Sequence, residues 1–162
     1  MVTHSKSTIG VISDTHGLFR PEVKKIFKGV DLILHAGDIG APEVLQELRL
    51  CAPVRAVRGN NDKGQWAEGI PETEVVHVRA VQLYVLHDVK ELDLNPSAAG
   101  FQVVISGHSH KPSIERRDGV LFVNPGSAGP RRFSLPVSVA RLTVEDSTVE
   151  GKLILLAEQR RK

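Results

Sequence analysis

The sequence predicts one α/β domain in which parallel strands are supplemented by antiparallel ones. Three observations carry that expectation. Short apolar runs alternate with helical patterns in the first half, hairpin signals follow in the second, and no repeat, low-complexity tract or linker interrupts the 162 residues. A chain of this length buries roughly two-thirds of the surface its unfolded form exposes, enough for a core without covalent staples.

Thr8-Ile9-Gly10-Val11-Ile12-Ser13 and Leu32-Ile33-Leu34-His35-Ala36 are apolar runs bounded by polar residues, the pattern of strands covered on both faces. Between them, Pro21 to Phe27 predicts a helix with Pro21 in its first turn and Val23, Ile26 and Phe27 on one face. Pro42 to Leu50, with Val44, Leu45 and Leu48 apolar, predicts a second helix, and Val54-Arg55-Ala56-Val57 a third strand. The strand-helix unit therefore repeats, and its strands should run parallel. Glu74 to Val78, Val81 to Leu86 and Phe101 to Ser106 are further strands, with Ser97 to Gly100 in a short helical or looped segment. Ile114 to Arg117 and Val120 to Asn124 flank Asp118-Gly119, a hairpin signal, and Val137 to Val144 pairs with Thr148 to Leu156 around Glu145-Asp146-Ser147.

Composition removes several classes of function. Cys51 is the only cysteine, so no disulfide forms within the chain; a reducing compartment and a buried, inert thiol follow. Met1 to Thr8 is polar and no stretch reaches the ~20 apolar residues of a membrane span, which predicts a soluble, cytoplasmic protein without a membrane partner. Lys and Arg number 21 against 19 Asp and Glu, so charge gives no specific nucleic-acid signal. Arg160-Arg161-Lys162 reads as a solvated terminus.

Chemistry concentrates where the predicted strands end. The first strand runs into Asp14-Thr15-His16, the second into Gly37-Asp38, the third into Gly59-Asn60-Asn61-Asp62, and two later ones into His87 and Gly107-His108-Ser109-His110. Open α/β sheets build their sites just past the carboxyl ends of parallel strands. Asp14, His16, Asp38, Asn60, His87, His108 and His110 are oxygen or imidazole donors with no thiolate, a set for divalent Mn, Fe, Zn or Mg rather than a soft metal. Seven donors are too many for one ion. If Asp38 bridges, they divide into two groups of four around metals ~3.5–4 Å apart. Within Asp14-Thr15-His16 and His108-Ser109-His110 the paired donors are two apart, so an extended loop would turn both the same way. Gly37, Gly59 and Gly107 each precede a donor, where a missing Cβ permits a sharp turn or close approach.

These five clusters, in this order, resemble the calcineurin-like metallophosphoesterases, whose pattern is Asp-x-His, Gly-Asp, Gly-Asn-His or a variant, His, and Gly-His-x-His. The resemblance covers nearly the whole chain. Asn124-Pro125-Gly126-Ser127 followed by Pro130-Arg131-Arg132-Phe133 resembles the small YfcE-like phosphodiesterase branch in particular. It implies a two-sheet sandwich flanked by helices, the αββα metallophosphoesterase fold, in a single domain spanning 1–162 with 1–7 a flexible segment. It implies two divalent ions, most readily Mn²⁺, with Fe, Zn, Ni or Mg as alternatives. Asp14, His16 and His110 would hold one ion, Asn60, His87 and His108 the other, and Asp38 both. The implied reaction is hydrolysis of a small-molecule phosphodiester by a hydroxide held between the ions, with Asp38, Asn60 and His16 in the catalytic role. A homo-oligomer is left open.

Two departures from the family pattern matter. Asn61 stands where many relatives carry histidine, so the usual proton donor is missing. The fourth cluster is His87-Asp88-Val89 rather than His-Gly-His, although its first histidine survives. Asn61 and Arg58 are the candidates for touching substrate phosphate, against the plainer reading of a solvated arginine. Any single cluster would more often be a turn or a helix cap. His35 is equally a partner orienting a ligand or a satisfied core histidine, whereas His4 and His77 read as surface residues. Asn124 and Ser127 are expected to shape a turn near the site, and Trp66 to cap the pocket or cover a loop. Two rivals share the scaffold: a phosphomonoesterase or nuclease, and a binding module like the retromer scaffold subunit, which has lost part of the metal set.

Overall fold

Alternation along the first strand decides how the domain is layered. In β1 (Lys6–Ile12) Ile9 and Val11 join one core, whereas Ile12 joins another and Gly10 lies beneath the ring of Phe27. The strand is therefore covered on both faces, as an uninterrupted apolar run demands. The computed structural model describes residues 5–132 and 134–156. His4, Phe133 and the Arg160-Arg161-Lys162 tail lie outside the described residues.

The chain proceeds from β1 through α1 (Glu22–Ile26), β2 (Leu32–His35), α2 (Pro42–Arg49), β3 (Val54–Ala56) and a short α3 (Gln65–Glu68). β4 (Thr73–Val78) and β5 (Val81–Leu86) follow, then one 3-10 turn at Val89–Glu91 and β6 (Val103–Ile105). Two hairpins complete it: β7 (Ser113–Arg117) with β8 (Val120–Asn124), and β9 (Ser138–Glu145) with β10 (Thr148–Leu155). One sheet has the order β10-β9-β1-β2-β3 and the other β4-β5-β6-β8-β7. Strands β1, β2 and β3 are parallel neighbours, as expected. The second sheet has a parallel centre of its own, β5-β6-β8, with antiparallel β4 and β7 at its edges.

The two sheets enclose a core of Ile9, Val11, Leu34, Val57, Leu83, Val85, Ile105, Leu121, Val123 and Leu142, each at most 4% exposed. Their contribution, at roughly 25 cal/mol per Å² of apolar surface buried, is what holds the sandwich together. Val23 of α1, Phe27 just after it, and Val44, Leu45 and Leu48 of α2 cover the outer face of the first sheet, where half-buried Cys51 and Trp66 also pack. The outer face of the second sheet is covered by Leu92, Leu94 and Phe101 from a connection with no α-helix. Pro96 and the Asn95 side chain, which accepts from Ala98 N at 3.2 Å, keep that connection in turns. The architecture is thus the expected single-domain two-sheet sandwich, with its helices gathered on one outer face.

Candidate metal centre

Because β1, β2 and β3 run parallel in one sheet and β5 and β6 in the other, the five donor-bearing loops leave their strands at one rim of the sandwich. Backbone bonds couple the loops directly. Asp14 N donates to Gly37 O and His16 N to Asp38 O, each at 3.0 Å, and Gly107 N donates to His87 O at 2.9 Å. Close approach explains two of the glycines. Gly37 has φ +100° and a Cβ there would fall 2.7 Å from His87 Nδ1, while one at Gly107 would overlap Ser13 Oγ and Asp14 Oδ2.

Five of the seven expected ligands occupy the left-handed region: Asp14 at φ 56°, His16 at 46°, Asp38 at 55°, His108 at 72° and His110 at 63°. The paired donors therefore do not sit on extended loops, and their side chains are aimed by alternate left-handed residues instead. Asp and His tolerate that region better than most residues, but each such conformation costs on the order of 1 kcal/mol and persists where the surroundings impose it.

Two clusters of donor atoms result. Asp14, His16 and His110 form one, and Asp14, Asp38 and His87 the other, with the donor atoms of each within 4.8 Å of one another. Asp14 Oδ1 lies 3.2 Å from His110 Nε2, 3.8 Å from His16 Nε2 and 3.9 Å from His87 Nε2. Asp38 Oδ2 is 3.3 Å from His87 Nε2 and 3.8 Å from His16 Nε2. Both carboxylates thus face both clusters. His108 stands beside the second, its Nδ1 3.4 Å from His87 Nε2 and its Nε2 3.7 Å from Asp88 Oδ2. Asn60 is exposed in the turn after β3.

Asp14 Oδ1 and His16 Nε2 are enclosed and have no hydrogen-bond partner, although the other Asp14 oxygen accepts from Ser13 Oγ at 2.6 Å and His108 N at 3.0 Å. A buried carboxylate oxygen without a donor costs about 1–3 kcal/mol. An ion held between Asp14, His16 and His110 removes that cost, and the all-oxygen-and-imidazole set suits a divalent cation. The residues therefore fit a metal.

Protonation follows the same geometry. Burial alone would raise Asp38, but bonds from His87 and Asn61 hold its carboxyl well below the usual range. Burial likewise works against a charged His87, yet Asp38 and the Ala36 carbonyl raise it to about 9. Burial, despite nearby Asp14 and with Arg132 and His16 adding to it, holds His110 below the ordinary imidazole range.

Several residues brace the ligands. His35 is fully buried, accepts from Gly37 N at its Nδ1 and contacts Thr15 Oγ1 at 3.0 Å. Because Thr15 Oγ1 donates to Ile39 O, the His35 Nε2 must donate to Thr15, which fixes a neutral tautomer. Burial agrees, pushing its pKa down to about 3. Asn124 Nδ2 donates to Gly107 O and Ser109 Oγ, and Ser127 Oγ to Asp14 O, so both hold ligand loops as expected.

Asp62, part of the third cluster but given no role from sequence, accepts from Ile39 N, Gly40 N and Gly59 N and so joins the β2 and β3 loops. Its signal was only a carboxylate after Gly-Asn. Asn61 turns its amide to Asp38 Oδ2 at 2.9 Å. Arg58 pairs with Glu72 at 2.9 Å. His77 is exposed.

Comparison with known proteins agrees with this geometry. The model of the calcineurin-like phosphoesterase superfamily domain matches residues 8–147. A probable metallophosphoesterase of Methanocaldococcus jannaschii is 38% identical, covering 93% of this chain and 82% of its own. A probable metallophosphoesterase of Methanothermobacter thermautotrophicus is 35% identical over 90% of this chain and 91% of its own. Among solved structures, an archaeal phosphodiesterase superposes with a TM-score of 0.75 at 25% identity, covering 92% of this chain and 99% of that one. Vps29 of Entamoeba histolytica has a TM-score of 0.72 at 24% identity, covering 93% and 99%, a likeness of fold alone.

Proposed function

Because the chain belongs to the calcineurin-like phosphoesterase superfamily, we propose that it is a phosphoesterase that holds two divalent ions and hydrolyses phosphodiesters of small molecules in the cytoplasm. The observation that carries this is the pair of enclosed, unpartnered donor atoms, Asp14 Oδ1 and His16 Nε2, beside His110 and sharing Asp14 with a second donor cluster. Asp14, His16 and His110 hold one ion, Asn60, His87 and His108 the other, and Asp38 contributes to both, with Mn²⁺ the first candidate. The chemistry such ions supply when bound is acidification of water as a nucleophile and neutralisation of charge on the phosphoryl oxygens.

The chain's own residues prepare that chemistry. The Ala36 carbonyl fixes the Nδ1 proton of His87, which leaves Nε2 to face the carboxylates. Asn61 clamps both oxygens of Asp38, through its backbone and its amide. His16, half-buried at the rim, is placed to orient substrate or the leaving group. The diester preference is supported by a phosphodiesterase of M. jannaschii, 29% identical over 73% of this chain, and by the archaeal phosphodiesterase fold. All seven donor positions are filled, which favours an enzyme over the metal-depleted scaffold of the retromer type.

Elemental analysis of the purified protein, paired with hydrolysis of bis(p-nitrophenyl) phosphate before and after chelation, tests the proposal. Two ions per chain and chelator-sensitive turnover are expected. Full activity after exhaustive chelation, with no metal detected, overturns it.

A further inference from the structure

His108 differs from the donors around it. The side chains of Asp14, Asp38, His87 and His110 are at most 7% exposed, whereas that of His108 is 46% exposed. Its backbone is nevertheless fixed. The residue holds φ 72°, its N donates to Asp14 Oδ2 at 3.0 Å, and a Cβ on the preceding Gly107 would overlap Ser13 Oγ and Asp14 Oδ2. Burial therefore does not orient the His108 ring, and contacts at its edge must.

Among the described residues a polar group stands at each nitrogen of that ring. Nδ1 lies 3.4 Å from His87 Nε2, the atom that faces Asp38 Oδ2 at 3.3 Å, so this nitrogen is turned toward the second donor cluster. Nε2 lies 3.7 Å from Asp88 Oδ2. Asp88 is half-buried and is itself held: its Oδ1 caps the 3-10 turn at Val89–Glu91 by accepting from Lys90 N at 3.0 Å, which leaves Oδ2 for His108. Asp88 is also one of the two departures from the family pattern, since His-Gly-His has no carboxylate at this position. An ionised carboxylate offers lone pairs and no proton, so the imidazole nitrogen turned to it is the one that carries hydrogen. At 3.7 Å the contact is longer than a hydrogen bond and acts on the N–H dipole through charge. The consequence is a bare Nδ1 beside His87.

We propose that Asp88 is the positioning residue of His108: its carboxylate takes the Nε2–H edge of the ring, fixes tautomer and orientation together, and so presents Nδ1 as a donor to the second ion. This rests on the two-ion phosphoesterase reading above and deepens it. A histidine that holds a metal commonly gives its other ring N–H to a carboxylate, and the loss of that partner weakens the metal without removing a ligand. Here the partner serves the donor that lacks the support of burial.

Two measurements on the whole chain, starting from the metal-free protein, test the assignment. Stepwise Mn²⁺ binding is followed by calorimetry in the native protein, in Asp88→Ala and in Asp88→Ser. Serine can still cap Lys90 N but is too short to reach His108. Both variants should weaken one of the two binding steps by about 10–100-fold and leave the other in place. The ring itself is read from histidine nitrogen chemical shifts in the metal-free protein at about pH 9, above the ordinary imidazole range. His108 should be a single Nε2–H tautomer in the native protein and a mixture of tautomers in both variants, a change that a turn cap does not produce. Native affinity in either variant, equal weakening of both steps, or an unchanged His108 tautomer overturns the positioning role and leaves the phosphoesterase reading standing. Fewer than two ions bound by the native protein overturns the two-ion reading with it.

Discussion

His87 Nε2 stands 3.3 Å from Asp38 Oδ2 while Nδ1 of the same ring donates to the Ala36 carbonyl at 2.7 Å. In the metal-free protein a proton on Nε2 occupies the position that an ion would take. Burial opposes that charge, but the Asp38 and Ala36 contacts outweigh it and raise the imidazole to about 9. Metal binding near neutral pH should therefore expel about one proton from His87, and affinity should fall roughly tenfold per pH unit below about 9. An unperturbed imidazole would have placed that decline near 6.5. Calorimetry of Mn²⁺ binding in two buffers with different ionisation heats measures the proton count; identical heats in both would exclude proton release.

Asp38 Oδ2 also lies 3.8 Å from His16 Nε2, so the carboxylate borders both donor clusters, whereas His87 belongs to one of them. Asp38→Ala should lose both ions and His87→Ala about one, as counted by elemental analysis. The geometry adds Asp14, whose Oδ1 is shared between the clusters, and Asp14→Ala should behave like Asp38→Ala. Equal single-ion losses in Asp38→Ala and His87→Ala would show that Asp38 serves one site only.

Asp62 is 5% exposed and accepts from three backbone N–H groups of two loops. Replacing it by Ala strands those donors, each at about 1–3 kcal/mol if water cannot reach it, so the loss in unfolding free energy should be about 3 kcal/mol or more. Urea denaturation in chelator reads this directly. A loss within about 0.5 kcal/mol, the range of an ordinary surface change, would mean that Asp62 does not hold the loops together.

His35 gives a pH dependence of stability with a definite sign. Its pKa is lowered by burial to about 3 in the folded protein, so the unfolded chain binds the proton more readily. The corresponding stability is fully present above the unfolded value of about 6.5 and is lost as pH falls toward 3, at up to about 1.4 kcal/mol per unit. His87, raised to about 9, acts oppositely and in a different window: its contribution is complete below about 6.5 and is lost as pH rises toward 9. Metal-free protein should thus be most stable near pH 6.5, within about half a unit. His35→Gln should flatten the acid limb in urea titrations between about pH 4.5 and 6.5, and an unchanged slope would assign the acid sensitivity to other groups.

Much of this centre was legible because its ligands follow strand ends, and the strands themselves are apolar runs that only a doubly covered sheet can accommodate. Asp14, Asp38, His87 and His110 were named on that ground and converge. What stayed hidden is what depends on long-range pairing. Val120–Asn124 reads as one arm of a hairpin with Ser113–Arg117, and nothing local says that it also lies parallel to β6 in the centre of the second sheet. Arg58 looked available beside the Gly59-Asn60 loop, but Glu72 engages it from across a connection. Arg20 carries no local signal, because its partner, the Gly129 carbonyl, is 109 residues away. The αL conformations at five ligands are equally invisible in a pattern of apolar and polar residues.

Asn61 decides how the leaving group departs. Its backbone N and side-chain Nδ2 donate to Asp38 Oδ1 and Oδ2, each at 2.9 Å, so the amide is occupied in fixing a ligand. An amide also has no proton to transfer near neutral pH. General acid assistance is typically worth ~10²–10⁴ in rate, and without it the leaving oxygen departs largely unaided. Diesters with acidic leaving groups, such as nitrophenyl esters, should therefore turn over well, with a steep decline toward alkyl leaving groups. Asn61→His introduces a proton donor but gives up the amide bond to Asp38. It should flatten the dependence on leaving-group pKa while weakening metal affinity, and Asn61→Ala should weaken the metal without flattening anything. Plots of log kcat against leaving-group pKa for the three proteins, with chemistry rate-limiting and metal saturating, separate the two effects. A shallow slope in the native protein would mean that a donor is already in place, and His16, whose Nε2 lies 3.8 Å from Asp38 Oδ2, is where it would be sought.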